Sequence, residues 1–100
     1  MATVSKTLAR TAAATTSTTL YTVPSATTTV VTDIVVANTS ASPGTFTISL
    51  NGVVFANSVT VGGNDSTIIQ VKQPLSATQT ITGLASATSI NFHIGGVEIS

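Results

Sequence analysis

Charged side chains are scarce in this sequence, which has three Lys or Arg and three Asp or Glu among 100 residues, and a single His. General acid–base catalysis needs positioned ionisable groups, and nucleic-acid binding needs cations that neutralise phosphates. A net charge of zero also provides no basic patch for a membrane surface. We therefore expect a non-enzymatic protein with neither a nucleic-acid nor a membrane partner.

Cysteine is absent, and so are long apolar runs. Without thiols the chain can form neither disulfide bonds nor a thiolate metal site. No stretch approaches the ~18 apolar residues of a transmembrane helix, and residues 11–17 are too polar for the apolar core of a signal peptide. The sequence predicts a soluble, unprocessed chain that has no catalytic, cofactor-binding or metal-binding residues.

From Thr18 onward the chain consists of short β-branched segments separated by turn residues. The clearest hairpin joins Thr45–Leu50, which alternates apolar and polar residues, to a second strand through Asn51-Gly52, a pair suited to a type I′ turn. No segment keeps a helical period. We predict an all-β fold, an antiparallel β-sandwich of jelly-roll or immunoglobulin-like type with about seven to eight strands.

The segment Thr27–Asn38 is apolar on both faces of its predicted strand. Strict alternation would group Val30 with Ile34 and Val36 on one face, and Val31 with Val35, Ala37 and Asp33 on the other. A sheet packed on one side only would carry polar residues on the second. Either the chain's own loops or arm cover the second face, or another subunit does; the low charge favours another subunit.

Two adjacent glycines, Gly95-Gly96, interrupt the alternation of the last predicted strand, Ser89–Ile99. Glycines inside a strand indicate a bulge or a close approach of another backbone. After such a bulge, Val97 and Ile99 are expected to return to the core side.

Residues 1–16 differ from the rest, because they hold Lys6 and Arg10 but no large apolar residue after Leu8. Such a segment buries too little surface to fold alone. We predict an extended N-terminal arm over 1–16, followed by a sandwich domain over 17–100. The arm is either a frayed terminus or a segment that becomes ordered on a neighbouring subunit.

Few side chains qualify as site residues. His93 is the only imidazole, and no nucleophile or ligand set accompanies it in the sequence, so we interpret it as structural or exposed. Asp33 and Glu98 stand alone, and Asp65 is expected to hydrogen-bond its own turn. The segment 62–65 resembles a calcium-binding turn but supplies one carboxylate where calcium needs several.

We expect the threonines on the surface of the sandwich and the aromatic residues in its core. Threonine favours strands and loses little side-chain entropy there, so the many threonines suit a neutral, ordered outer face. The four aromatic residues are expected in the core; they are Tyr21, Phe46, Phe55 and Phe92.

Four segments together resemble a group of small virion proteins of tailed bacteriophages. They are 20–24 (LYTVP), 30–39 (VVTDIVVANT), 48–52 (ISLNG) and 90–99 (INFHIGGVEI). The resemblance spans about residues 18–99, and its motifs are structural.

This resemblance implies a β-sandwich that sits on the virion as a symmetric homo-oligomer and is assembled in the host cytoplasm. Its partners would be the major capsid protein or other virion proteins. The leading expectation is a capsid decoration (cement) protein that binds the assembled shell and stabilises it. The alternatives are a neck, collar or tail accessory protein, and a host- or carbohydrate-binding module.

Overall fold

A computed structural model describes residues 3–100 and contains β-strands but no helix in that range. The prediction of an all-β chain is confirmed. The eight strands are β1 (Thr3–Ala12), β2 (Thr18–Thr22), β3 (Thr28–Asn38), β4 (Gly44–Leu50), β5 (Val53–Val61), β6 (Asp65–Leu75), β7 (Thr80–Ala85) and β8 (Ile90–Ile99). Within residues 3–100, no helix could cross a membrane.

The strands form two antiparallel four-stranded sheets. The first sheet has the order β1-β8-β3-β6 and the second the order β2-β7-β4-β5. Every connection except the β4–β5 hairpin therefore crosses from one sheet to the other. This order is the jelly-roll arrangement of two Greek keys, one of the two sandwich types that the sequence predicts.

The core lies between the inner faces of the two sheets. Phe46 from the second sheet meets Phe92 from the first edge to face, with ring centroids 6.1 Å apart and planes at 73°. Both rings are buried as expected, whereas Tyr21 and Phe55 are only partly buried at the margin of the core. The other large, fully buried side chains are Ile34, Ile48, Ile81, Ile90 and Ile94.

The predicted hairpin is present between β4 and β5. Asn51 and Gly52 both have positive φ, at 51° and 77°, as a type I′ turn requires. Phe46 and Ile48 are buried while Thr45 and Thr47 are not, so the alternation of β4 separates core from surface.

Most of the predicted arm belongs to the sandwich. Residues 3–12 form β1, which pairs antiparallel with β8 from Thr3↔Ile99 to Ala12↔Asn91. Leu8 and Ala9 are buried. The low apolar content of this segment does not prevent folding, because the exposed edge of β8 supplies a ladder of backbone hydrogen bonds. Met1 and Ala2 lie outside the described residues.

The irregularity near Gly95-Gly96 lies on the neighbouring strands and not on β8. The extra residues are Leu8 in β1, between the partners of Gly95 and Ile94, and Thr32 in β3, between the partners of Gly96 and Gly95. A Cβ on Gly96 would lie 2.5 Å from the Val30 carbonyl oxygen, so the expected close approach of backbone is present. Since β8 itself stays regular, Val97 lies on the outer face with Val30, and Ile99 with Thr28. The expectation that Val97 and Ile99 return to the core is wrong.

The extra residue in β3 also changes which of its side chains share a face. Val31 lies inward with Ile34 and Val36, all fully buried. Val30 instead lies outward with Val35 and Ala37. Strict alternation assigns Val30 and Val31 to the opposite faces because it does not include the bulge at Thr32.

Candidate functional site

The outer face of the first sheet is apolar along its middle strands. On this face Val30 pairs with Val97 on one side and Pro74 on the other, and Val35 pairs with Ile68. Ile68 is 65% exposed. We refer to this outer surface as the valine face; its apolar members are Val30, Val35, Ala37, Ile68, Pro74, Val97 and Ile99.

The N-terminal segment does not cover the valine face. β1, which could have folded over that face as an arm, lies beside β8 as the edge strand of the same sheet. The apolar residues of the valine face form two groups, Val30 with Pro74 and Val97, and Val35 with Ala37 and Ile68, and the pair Asp33 and Gln70 lies between them. Apolar patches rimmed by polar residues are a common feature of interaction sites. The valine face is therefore the surface of this chain best suited to a protein partner.

A small depression on the valine face brings together three ionisable side chains that are far apart in the sequence. Its volume is about 150 Å³, and its lining includes Thr7, Arg10, Asp33, His93 and Gly95. Arg10 and His93 are cross-strand partners, and Asp33 lies opposite Gly95 on the next strand. The depression exists because Gly95 contributes no side chain.

The polar groups around this depression suit contacts with another protein surface. Arg10 donates to the Thr7 hydroxyl at 3.4 Å, and the Thr32 hydroxyl donates to Asp33 at 2.9 Å. Along residues 3–100, no three His, Asp or Glu side chains cluster as a metal site would require. Arg10, His93 and Asp33 thus offer donors and an acceptor beside the apolar strip.

A larger depression lies where β3 and β6 lose their regular register. It has a volume of about 480 Å³ and is lined by Thr32, Gln70, Val71 and Lys72. The pairing shifts between Val31 and Asp33, so side chains on the two strands no longer sit opposite one another. The bulge at Thr32 and Asp33 therefore separates two recesses on one sheet.

The outer face of the second sheet carries many threonine side chains, together with Leu84 opposite Thr47 and the 55% exposed Val54 opposite Ser49. Thr19 pairs with Thr82, Thr82 with Ser49, and Thr45 with Thr60. We call this surface the threonine face; it also includes Thr22, Thr47 and Thr80. The predicted neutral, threonine-rich surface is most extensive on this sheet.

A polar cluster lies between the sheets at the end of the core. The Tyr21 hydroxyl is 2.9 Å from the Thr29 hydroxyl and donates a hydrogen bond to Glu98. Lys6 pairs with the other Glu98 oxygen at 3.4 Å. The hydrogen bond from Tyr21 and, more weakly, Lys6 lower the pKa of Glu98 below its usual range. Burial and the hydrogen bond to Glu98 raise the pKa of Tyr21. This cluster joins β1, β2, β3 and β8.

The remaining acid, Asp65, has a structural place. Its carboxylate accepts a hydrogen bond from the Ser66 backbone at 2.8 Å, as its turn predicts. The preceding loop packs backbone to backbone against the β3–β4 connection, since a Cβ on Gly63 would lie 2.1 Å from the Ala41 carbonyl oxygen. Asn64 donates to Ser40 at 2.8 Å in the same contact.

Sequence reasoning missed Asn38, whose side chain is buried. Its amide donates to the Ser42 carbonyl at 2.8 Å, and its oxygen accepts from the Ser40 backbone at 3.0 Å and from Ser89 at 3.3 Å. The buried position of Asn38 is predictable from the sequence, because strand alternation places Asn38 on the same face as Ile34 and Val36. Through these hydrogen bonds Asn38 links the β3–β4 and β7–β8 connections.

No protein-family model matches this chain, and no curated protein sequence matches it either. The chemistry of the two outer faces is therefore the basis for a functional proposal.

Proposed function

We propose that this chain is a non-enzymatic virion structural protein, a capsid decoration protein that binds the assembled shell of a tailed bacteriophage and stabilises it. The observation that carries the proposal is the valine face, an apolar sheet surface on a small domain that has few charges. The resemblance of four sequence segments to small phage virion proteins is the reason for proposing a tailed-bacteriophage particle as the partner.

Binding through the valine face would draw its free energy mainly from apolar burial. Removing apolar surface from water contributes about 25 cal/mol per Å², and β-branched side chains on a rigid sheet lose little entropy when they are covered. Arg10 and Asp33 on the same face would set orientation more than affinity. Attachment of this kind depends only weakly on salt.

In this arrangement the valine face lies against the shell and the threonine face is directed outward. The threonine hydroxyls keep their contacts with water, and their cross-strand pairs stay intact. Jelly rolls recur among viral capsid domains, which agrees with this role by analogy of fold. A decoration protein stabilises its shell because it binds the assembled form alone.

The direct experiment mixes the purified chain with shells assembled from the major capsid protein alone and measures the bound fraction by sedimentation. We expect the wild-type chain to bind at low salt and in molar salt. Val35→Lys should abolish binding, and the matched variant Thr82→Lys should not. Both positions are half-buried and point outward from central strands. Loss of the wild-type chain in molar salt, or equal loss from both variants, would contradict the proposal.

The alternatives predict other outcomes. A neck, collar or tail accessory protein would be present in far fewer copies per particle than the capsid protein, which quantitative mass spectrometry of virions measures. A carbohydrate-binding module would bind a glycan array, usually through exposed aromatic rings. All four aromatic side chains of this chain lie in the core or pack against it, which favours the decoration role.

A further inference from the structure

The four edge strands of the two sheets differ in their protection against pairing with another strand. Charged side chains, short length and bulges all discourage such pairing. β1 carries Lys6 and Arg10, and β2 has only 5 residues. β5 has two register shifts against β4, and its Ser58 has a positive φ of 49°. These three edges are protected along their length.

β6 is protected over only half of its length. Its second half contains a register shift, Lys72 and Pro74. After Asp65 at its start, residues 66–70 are uncharged and pair with β3 without a shift. In the middle of this stretch, Ile68 is 65% exposed, and within residues 3–100 it is one of four large apolar side chains that are more than half exposed. An open, regular edge therefore coincides with an exposed isoleucine.

The sequence of β6 is complementary to itself in the antiparallel direction. When two copies pair about a two-fold axis at Ile68, each Ile68 lies opposite the other. Ser66 then lies opposite Gln70 of the second copy. A two-fold interface requires this kind of self-complementary surface. The apolar pair of the two Ile68 side chains stabilises the pairing.

We infer that β6 pairs antiparallel with β6 of a second copy of this chain, about a two-fold axis at Ile68. The two first sheets then become one continuous sheet of eight strands. Residues directly opposite in an antiparallel pair point to the same side, so both valine faces lie on the same side of that sheet. The apolar strip of Val35 and Ile68 continues from one copy into the other. This dimer goes beyond the capsid role and does not depend on it.

A single cysteine tests the register, because the natural chain has none. Opposite residues of an antiparallel pair have Cα atoms about 4.5–5.5 Å apart, within the range that a disulfide bridges. Under mild oxidation, Ile68→Cys should form a covalent dimer rapidly. In Ser66→Cys the two thiols would lie about 14 Å apart, and Val54→Cys on β5 is similarly exposed, with Val54 at 55%. Both controls should cross-link slowly; equal rates for all three variants would overturn the inference.

Sedimentation velocity of the purified chain measures the association itself. One strand pair buries less surface than a standard interface, so we expect weak dimerisation. The protein concentration should therefore be varied from micromolar to about millimolar. Ile68→Lys should weaken dimerisation roughly ten- to a hundredfold, because it places two like charges opposite each other and removes an apolar pair. Val54→Lys should not change it. A wild-type chain that stays monomeric throughout, or an equal effect of both variants, would overturn the proposed dimer.

Because these measurements use the free chain, loss of the dimer with shell binding retained would leave the capsid proposal standing.

Discussion

The outer faces of the two sheets have the same strand geometry but different chemistry. Threonine and valine are both β-branched and both suit a strand. The second sheet carries hydroxyl groups outward at Thr19, Thr45 and Thr82, with Val54 and Leu84 as apolar exceptions. The first sheet carries side chains without hydroxyl groups at Val30 and Val35. In the proposed function, the apolar residues of the valine face are buried against the capsid shell and the threonine face stays in water. The proposal therefore predicts that the two faces respond differently to substitution.

The largest expected effect contrasts an inner side chain with an outer one. Phe92→Ala removes a ring that is fully buried against Phe46, and it should lower the free energy of unfolding by about 3–5 kcal/mol. Val35→Ala on the valine face should cost about 1 kcal/mol or less in the free chain. Urea unfolding of both variants measures the difference. A cost at Val35 equal to that at Phe92 would show that the valine face is already packed in the isolated chain.

A smaller effect is expected at the glycine that lets β3 and β8 approach beneath the valine face. Gly96→Ala would place a Cβ 2.5 Å from the Val30 carbonyl oxygen, and it should destabilise the fold by about 1–3 kcal/mol. Gly62→Ala is the matched control, since its nearest contact would be at 3.5 Å. If thermal unfolding showed equal stability for the two variants, the account of close backbone approach at Gly96 would fail.

The polar cluster of Tyr21, Glu98 and Lys6 between the sheets should make the free energy of unfolding depend on pH. The hydrogen bond from Tyr21 holds the pKa of Glu98 in the folded chain below its ordinary value of 4.5, so the contribution of Glu98 to stability is fully present above pH 4.5. The contribution is lost as the pH falls through the folded pKa. Glu98→Gln should therefore lower the melting temperature at neutral pH, and the gap to the wild-type chain should narrow below about pH 4.5. A gap that widens in acid would contradict the assigned hydrogen bonds.

The smallest stability changes should come from exchanging the two outer faces one residue at a time. Val35→Thr and Thr82→Val replace half-buried outward side chains with a residue of similar shape, and each should change the free energy of unfolding by about 0.5 kcal/mol or less. Only Val35→Thr should weaken attachment to capsid shells. Equal attachment of the two variants would remove the distinction between the faces.

Local patterns in the sequence predict a large part of this fold. The alternation in Thr45–Leu50 and the Asn51-Gly52 turn are read correctly because strand and turn preferences act over a few residues. β1 is missed because its ordering depends on the edge of β8, which is about 90 residues away in the chain. Composition alone does not contain that contact.

The features of the candidate site depend on register, which a single segment does not contain. The bulge at Thr32 makes Val30 point outward, and because β8 has no bulge its regular alternation makes Val97 point outward as well. The grouping of Arg10 with Asp33 and His93 likewise follows from the strand order β1-β8-β3. The sequence does predict that β3 is apolar on both faces, and this is the property that makes the valine face a candidate.

The most direct test compares the accessibility of the two faces on assembled particles. Val35→Cys and Thr82→Cys each introduce the only thiol of the chain, one on the valine face and one on the threonine face. Maleimide labelling is then measured on intact virions and on the free protein. The account predicts that the thiol at position 35 is protected on the virion while the thiol at position 82 reacts as in the free chain. Equal labelling of both thiols on the virion would contradict the assignment of the valine face as the contact surface.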